Sequence, residues 1–122
     1  MRDIHRKQLV HRDFHSGNVL SDKKDGFITD LGLSRLVNSQ KEEGKIYGVL
    51  PYVAPEILRG QPYTKATDIY SFGIIMYELL ANAYPYPKLD GLDLALQVCK
   101  GHRPNLDELK IPELLKDLIK KC

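Results

Sequence analysis

The chain has 122 residues, of which 43% are hydrophobic and 28% charged, a composition typical of globular proteins and not of disordered ones. Its 18 basic and 16 acidic side chains leave a net charge of +2, which gives no reason to expect a nucleic acid or an anionic membrane as a partner. No apolar run approaches the roughly 18 residues of a membrane-spanning helix. The charged N-terminus lacks a signal core, and the two cysteines lack metal or disulfide spacing, so we expect a cytoplasmic location.

The first half of the chain predicts short elements and a long loop. Residues 1–8 are typical of the end of a helix. Two β-rich runs, 19–20 and 27–29, are joined by 22–26, whose Asp-Gly pair predicts a hairpin. Residues 30–56 show no sustained periodicity, which predicts a long loop of the kind that is usually functional or disordered.

The second half predicts three helices. Apolar side chains surround the helix over 67–81, which indicates burial on all sides in a larger core, with Thr67 as its N-cap. A second helix covers about 92–100 and is closed by Gly101. Pro112 opens the last helix, whose apolar face lies opposite its lysines.

Three polar residues suit phosphoryl transfer. Asp13 can accept a hydrogen bond from an attacking hydroxyl group, while Asn18, five residues later, can offer an oxygen to Mg²⁺. Asp30 follows twelve residues after Asn18 as a second candidate metal ligand. Mg²⁺ prefers a few protein oxygens together with water and substrate phosphates. The alternatives are a turn or cap role for Asp13, a loop-forming Asn18, and an Asp30 that only ends a strand.

Four motifs in order resemble those of eukaryotic protein kinases. Residues 11–18 resemble the H-R-D-x-x-x-x-N catalytic loop, and 29–32 resemble a D-L-G variant of the D-F-G element. Residues 48–56 are similar to the end of the activation segment with its A-P-E, and 68–73 to the start of the central helix. The last two helices resemble αG and αH of that family. The Asp-x-x-Ser-Phe-Gly form points to the tyrosine-kinase or tyrosine-kinase-like groups.

The resemblance implies a mainly α fold with short β-hairpins. It makes residues 1–122 one partial domain, an incomplete large (C-terminal) lobe from the catalytic loop to αH with the small lobe absent. It implies ATP and Mg²⁺ as cofactors, with Leu20 covering one face of adenine, and a protein as substrate. Because the glycine loop and lysine of the small lobe are not encoded here, we expect this chain alone to be inactive. Either the missing small lobe or a partner protein would have to cover its apolar faces.

The resemblance also gives roles to residues around the catalytic aspartate. Arg12 marks kinases that are commonly switched by phosphorylation of the activation loop, and an arginine binds phosphate bidentately, with Arg35 as a possible second ligand. Hydroxyl groups in the unpaired part of that loop are candidate phosphosites, with no single one assigned: Ser34, Ser39 and Tyr47. Each of these could equally be an ordinary exposed loop residue.

The resemblance implies structural roles for His11, Glu56 and Asp68. Asp68 opens an apolar helix and must be paired, because an isolated buried charge is very costly. In the family this aspartate accepts backbone N–H bonds from the catalytic loop, here around His11 and Arg12, although a first-turn aspartate favoured by the helix dipole is an alternative. Glu56 lacks the arginine that pairs with it in the family, and Arg103 is the nearest substitute.

Three positions depart from the family pattern. Leu31 replaces the phenylalanine of D-F-G, His15 stands where serine/threonine kinases usually have a lysine, and Val49 stands where they usually have a threonine. Tyrosine kinases lack that lysine too, but their A-A-R pattern is also missing. The specificity is therefore open, and the broader resemblance favours serine and threonine over tyrosine.

Two other functions compete with a protein kinase. Aminoglycoside-type phosphotransferases use a similar catalytic loop, but they lack the Ala-Pro-Glu segment and the helix that starts at Asp68. The chain could also be a non-catalytic decoy or interaction fragment that binds kinase substrates or partners. The intact Asp13, Asn18 and Asp30 favour the enzyme, since a decoy needs none of them.

Overall fold

A computed structural model describes residues 1–37 and 45–122. In chain order the elements are α1 Arg2–Arg6, β1 Leu9–Val10, β2 Val19–Ser21, β3 Gly26–Ile28, β4 Arg35–Leu36, α2 Pro55–Leu58, α3 Lys65–Ala81, α4 Gly91–Cys99 and α5 Glu113–Lys121. The prediction of a mainly helical chain with short strands is confirmed. Among the described residues no helix combines the length and the apolar character needed to cross a bilayer.

Strands β2 and β3 form the predicted hairpin. They pair antiparallel, with Val19 opposite Ile28 and Leu20 opposite Phe27. The connecting loop is closed by backbone hydrogen bonds between Asp22 and Asp25 in both directions, at 2.9 and 3.3 Å. The turn is therefore centred on residues 23 and 24 and ends at Asp25, and the glycine of the Asp-Gly pair already lies in β3.

Strands β1 and β4 form a second, separate two-stranded sheet that the sequence did not predict. Leu9 pairs with Leu36 and Val10 with Arg35, again antiparallel. This sheet is not a hairpin, because the β2–β3 hairpin lies between its two strands in the chain. Each strand has only two residues, and the partners lie far apart along the chain, so no local pattern indicates the pairing. The sheet fixes the chain after Asp30 beside the entry to the Asp13 loop.

Helix α3 begins earlier than predicted. Its N-cap is Thr64, and Thr67 lies within the first turn. The Thr67 hydroxyl group accepts a hydrogen bond from the Thr64 N–H at 3.2 Å and donates one to the Thr64 carbonyl at 2.6 Å. The prediction of Thr67 as the N-cap is therefore wrong, because its hydroxyl group bonds back to the cap instead of forming it.

One side of α3 carries the core. Its buried side chains, Tyr70, Ile74 and Ile75, share one cluster with residues of the Asp13 loop, the segment around α2, and α4. The opposite side is open among the described residues, since Leu79 is 68% exposed and Leu80 is exposed as well. The prediction of burial on all sides is therefore wrong for this part of the chain.

The last two helices follow the prediction closely. Helix α4 ends in a Schellman motif, in which the N–H of Gly101 donates to the carbonyl of Val98 and the N–H of His102 to that of Gln97. Gly101 adopts φ +98°, so the prediction that it closes the helix is confirmed. On α5 the predicted apolar face is largely open, with Leu114 exposed by 79%.

Candidate active site

Asp68 anchors the backbone that precedes Asp13. It lies in the first turn of α3 and is 1% exposed. One carboxylate oxygen accepts the N–H of His11 at 2.8 Å, and the other accepts the N–H of Arg12 at 3.2 Å. Charge-assisted bonds of this kind offset the cost of burying the carboxylate. The position of Asp13 is thus set by the central helix and not only by its own loop.

His5 is a third partner of Asp68 and was missed by the sequence interpretation. Its Nε2 atom lies 2.9 Å from the oxygen that also accepts the N–H of His11. His5 comes from the five-residue helix α1, whose sequence gives no signal for such a contact. Helix α1 is therefore bonded to the same carboxylate that anchors the Asp13 loop.

His11 joins the two candidate catalytic segments. Its side chain is fully buried, and its Nδ1 atom accepts the N–H of Asp13 at 3.3 Å. Since a backbone amide can only donate, the neutral ring carries its hydrogen on Nε2, which donates to the carbonyl of Thr29 at 2.9 Å. The ring thereby ties the Asp13 loop to the residue that precedes Asp30.

Asn18 completes this connection. It is buried, and its side-chain amide donates to the carbonyl of Asp13 at 2.7 Å. Its own carbonyl accepts the backbone N–H of Thr29 at 2.9 Å. The amide nitrogen is committed to Asp13, so the amide oxygen is the end of the side chain left for a ligand. The backbones at 13, 18 and 29–30 therefore form one hydrogen-bonded unit.

Asp30 has a strained backbone. It adopts φ +58°, and Arg12 adopts φ +72°, a region that costs residues other than glycine free energy and that recurs at functional sites. One Asp30 carboxylate oxygen accepts the N–H of Gly32 at 3.4 Å. The residue is exposed, which leaves its other carboxylate oxygen open to solvent.

Leu20 lies on an open apolar face. Both Leu20 and its cross-strand partner Phe27 are 55% exposed on the β2–β3 hairpin. Two large apolar side chains side by side in water form a surface suited to contact with a flat apolar group or another protein segment. In the described residues no group of three or more histidine, cysteine, aspartate or glutamate side chains could hold a metal ion.

Comparison with known proteins settles the family. All of residues 1–122 match the family model described as the protein kinase domain. The chain belongs to the protein kinase family. A probable serine/threonine-protein kinase of Dictyostelium discoideum is 39% identical over 124 residues, which cover 100% of this chain and 13% of that protein.

Other relatives from the same organism agree with this result. A probable LIM domain-containing serine/threonine-protein kinase is 32% identical, with 100% of this chain and 19% of the relative covered. The RGS domain-containing serine/threonine-protein kinase A is also 32% identical, with 100% and 11% covered. The chain thus spans less than a fifth of the length of these relatives.

Arg12 of this kinase chain packs against two tyrosines. Its guanidinium carbon lies 4.3 Å from the centre of the Tyr47 ring and 5.0 Å from that of Tyr63. The Tyr63 hydroxyl group accepts the backbone N–H of Tyr47 at 2.6 Å and donates to the Tyr47 carbonyl at 2.7 Å. A single hydroxyl group therefore holds both polar atoms of the Tyr47 backbone beside Arg12.

The candidate phosphosites differ in their surroundings. The Ser34 hydroxyl group donates to the carbonyl of His11 at 3.4 Å, and Ser34 directly precedes β4, so it does not lie in an unpaired stretch. Ser39 lies outside the described residues. Tyr47 is half-buried. Arg35 lies in β4 and donates to the carbonyl of Ser34 at 2.9 Å. The phosphosite stays a prediction.

Arg103 is not positioned to pair with Glu56. Its guanidinium donates to the carbonyls of Val98 and His102, at 3.0 and 2.8 Å, and lies over the Tyr70 ring. Glu56 is half-buried at the start of α2. The candidate substitution of Arg103 for the family's arginine is therefore wrong for this structure, because the short connection after α4 directs Arg103 back to its own helix end.

A polar network of Ser16, Tyr52 and Glu78 was also missed by the sequence interpretation. The Tyr52 hydroxyl group donates to Glu78 at 2.6 Å, and Ser16 donates to the other oxygen of the same carboxylate at 3.2 Å. Burial, together with the hydrogen bond to Glu78, raises the pKa of Tyr52 to about 12. Glu78 lies in the mainly apolar second half of α3, and that placement is the sequence signal that could have indicated it.

Proposed function

We propose that this chain is the large lobe of a serine/threonine kinase, which transfers the γ-phosphoryl group of ATP to a protein hydroxyl group. The observation that carries the proposal is the double backbone anchor on Asp68, which holds the chain at His11 and Arg12 and presents Asp13. Serine and threonine are favoured over tyrosine because the relatives described above are named serine/threonine kinases. The assignment to a tyrosine-kinase-like group rests on the Asp-x-x-Ser-Phe-Gly helix start alone.

Asp13 is the proposed catalytic residue. Its side chain is 18% exposed, so it is reachable yet held by its surroundings. It accepts a hydrogen bond from the substrate hydroxyl group and takes the proton late in the reaction. Because the transition state of phosphoryl transfer is loose, little basicity is needed, and correct positioning supplies most of the rate enhancement.

Asn18 and Asp30 are the proposed ligands of Mg²⁺. The donor set fits a hard cation, since it offers one amide oxygen and one carboxylate oxygen, both free of the hydrogen bonds described above. Bound Mg²⁺ with ATP supplies charge neutralisation on the phosphate oxygens. The shared backbone bonds around Thr29 would keep Asn18 and Asp30, which would hold this group, close to the Asp13 loop.

The polypeptide of these 122 residues is proposed to be inactive by itself. Leu20 offers one apolar face to adenine, and the described residues provide no opposite wall. A small lobe, or a partner protein that replaces it, would supply that wall and the phosphate contacts. The proposed location is the cytosol, which agrees with two cysteines that form no disulfide.

Phosphoryl transfer to a serine peptide tests the proposal. The 122-residue chain is assayed alone and after fusion to the small lobe of an active serine/threonine kinase. We expect transfer only from the fusion, and Asp13→Asn should lower kcat by roughly 10²- to 10⁴-fold. Asp25→Asn, in the exposed β2–β3 loop, is the matched control and should leave kcat unchanged.

Two results would contradict the proposal. If the fusion transfers no phosphate, the chain is not a competent catalytic lobe and the decoy function gains support. If Asp13→Asn and Asp25→Asn retain equal activity, transfer does not depend on Asp13. A separate measurement of nucleotide affinity at varied Mg²⁺ should show weaker binding for Asp30→Asn, which checks the metal assignment.

A further inference from the structure

His15 lies next to the proposed catalytic residue and has no role in the function described so far. Its Nε2 atom is 3.7 Å from the Asp13 Oδ1 atom. The His15 side chain is 23% exposed, so the ring is largely fixed by protein contacts. One of these is the Tyr52 ring, whose centre lies 6.0 Å away at an angle of 47°. The ring is thus held at the edge of the site.

The hydrogen bond to Gly17 decides which nitrogen of His15 carries the hydrogen. The backbone N–H of Gly17 points at Nδ1, at a distance of 3.2 Å. A backbone amide can only donate, so Nδ1 accepts with its lone pair. In the neutral ring the hydrogen is therefore on Nε2, the atom that faces Asp13.

Gly17 leaves room for the His15 ring because it has no Cβ atom. A Cβ atom at position 17 would lie 3.0 Å from both Cε1 and Nδ1 of His15, closer than real Cβ contacts normally come. A side chain at position 17 would therefore push the ring outward by a few tenths of an ångström. The ring orientation is built into the loop by two residues, His15 and Gly17.

We propose that His15 is a positioning residue for Asp13, an inference that rests on the proposed kinase function. Its Nε2–H group holds the Oδ1 atom of Asp13, so that the other carboxylate oxygen faces the acceptor hydroxyl group. The 3.7 Å separation is longer than a hydrogen bond, and we expect it to shorten when the substrate is bound.

A purely structural role for His15 makes a different prediction. If the ring only caps the turn at Ser16–Asn18, the acceptor at Nδ1 is the atom that matters. If the ring positions Asp13, the donor at Nε2 matters. Glutamine places an amide nitrogen near the position of Nε2, while asparagine places a carbonyl oxygen near that of Nδ1. The two amides therefore separate the two roles.

The kinetic experiment uses the active fusion with three variants. His15→Ala should lower kcat about tenfold, the value of one hydrogen bond to a catalytic group, and leave KM for ATP unchanged. His15→Gln should restore most of that loss, and His15→Asn should not. Rescue by asparagine but not by glutamine would overturn the proposal. The wild-type fusion is assayed before the variants. If the wild-type fusion shows no activity, the result refutes the proposed kinase function and not only the role of His15.

A second measurement does not need activity. The imidazole ¹⁵N resonances of the 122-residue chain report the tautomer of each of its four histidines. The His15 signal is identified by its loss in His15→Gln. We expect the hydrogen on Nε2, and a hydrogen on Nδ1 would overturn the proposal whatever the kinetics show.

Discussion

Replacing Asp68 with asparagine tests the anchor on which the site depends. The asparagine has nearly the same volume but only one acceptor oxygen, so one of the two backbone N–H groups, of His11 or Arg12, would face an NH₂ group. An unsatisfied buried donor costs about 1–3 kcal/mol, and the remaining bond loses its charge assistance. We expect a loss on the order of 3 kcal/mol in the free energy of unfolding, a large part of the roughly 5–15 kcal/mol of a typical domain.

Urea unfolding followed by far-ultraviolet circular dichroism measures this loss, since the chain has no tryptophan. Asp93→Asn is the matched control, because Asp93 also lies in the first turn of a helix but is exposed. There only the interaction with the helix dipole is lost, about 0.3–1 kcal/mol. Hydrogen exchange should also become faster at the amides of His11 and Arg12 in Asp68→Asn and stay unchanged in Asp93→Asn.

Equal losses in the two variants would refute the reasoning. In that case Asp68 would stabilise α3 through the helix dipole alone, and the anchor would carry no free energy. Unchanged exchange at His11 and Arg12 in Asp68→Asn would lead to the same conclusion, even if the variant were less stable.

Three further predictions concern other parts of the chain. Tyr63→Phe keeps the ring over Arg12 but removes the hydroxyl group, so amide exchange at Tyr47 should accelerate, and an unchanged rate would contradict the described bond. Gly101→Ala should cost about 1–2 kcal/mol in urea unfolding because of its φ of +98°, whereas Gly26→Ala, in open space, should change stability by less than about 0.5 kcal/mol. Tyr52 should titrate at about 12 by phenolate absorbance, above the ordinary value of 10.0, and this step should vanish in Tyr52→Phe. Because the pKa of Tyr52 is raised in the folded protein, the protonated side chain contributes its full stabilisation below pH 10. This stabilisation is lost as the pH rises to about 12. A loss of stability from Tyr52 below pH 10 would contradict the prediction.

The sequence predicted the elements that depend on neighbouring residues. The β2–β3 hairpin follows from turn residues between two β-rich runs, and the end of α4 follows from Gly101, since both are set within a few residues. The order of the kinase motifs was also readable, because the family repeats those residue types at those spacings. The start of α3 was misplaced by one turn because Thr64 and Thr67 are both plausible caps, and only the hydrogen bonds separate them.

Contacts between distant segments had no local signal, and the bonds from His11 and Arg12 to Asp68 were expected only from the family resemblance. The β1–β4 pairing, the His5 contact with Asp68 and the Glu78 contact with Tyr52 each join side chains or strands that no local pattern relates. Arg103 was the nearest candidate in the sequence to pair with Glu56, but the path of the chain after α4 directs its guanidinium to the end of that helix.

The amino-acid sequence by itself therefore determined the family, the residue types at the site, the β2–β3 hairpin and the approximate ranges of the three longest helices. Only the tertiary structure decided that the side chains of His11 and Asn18 join the backbones at 13, 18 and 29 into one unit, and that His15 turns its Nε2 atom toward Asp13. The physical reason is that each motif consists of residues only a few positions apart in the sequence. The direction in which a buried donor or acceptor points depends on partners that folding brings from elsewhere in the chain.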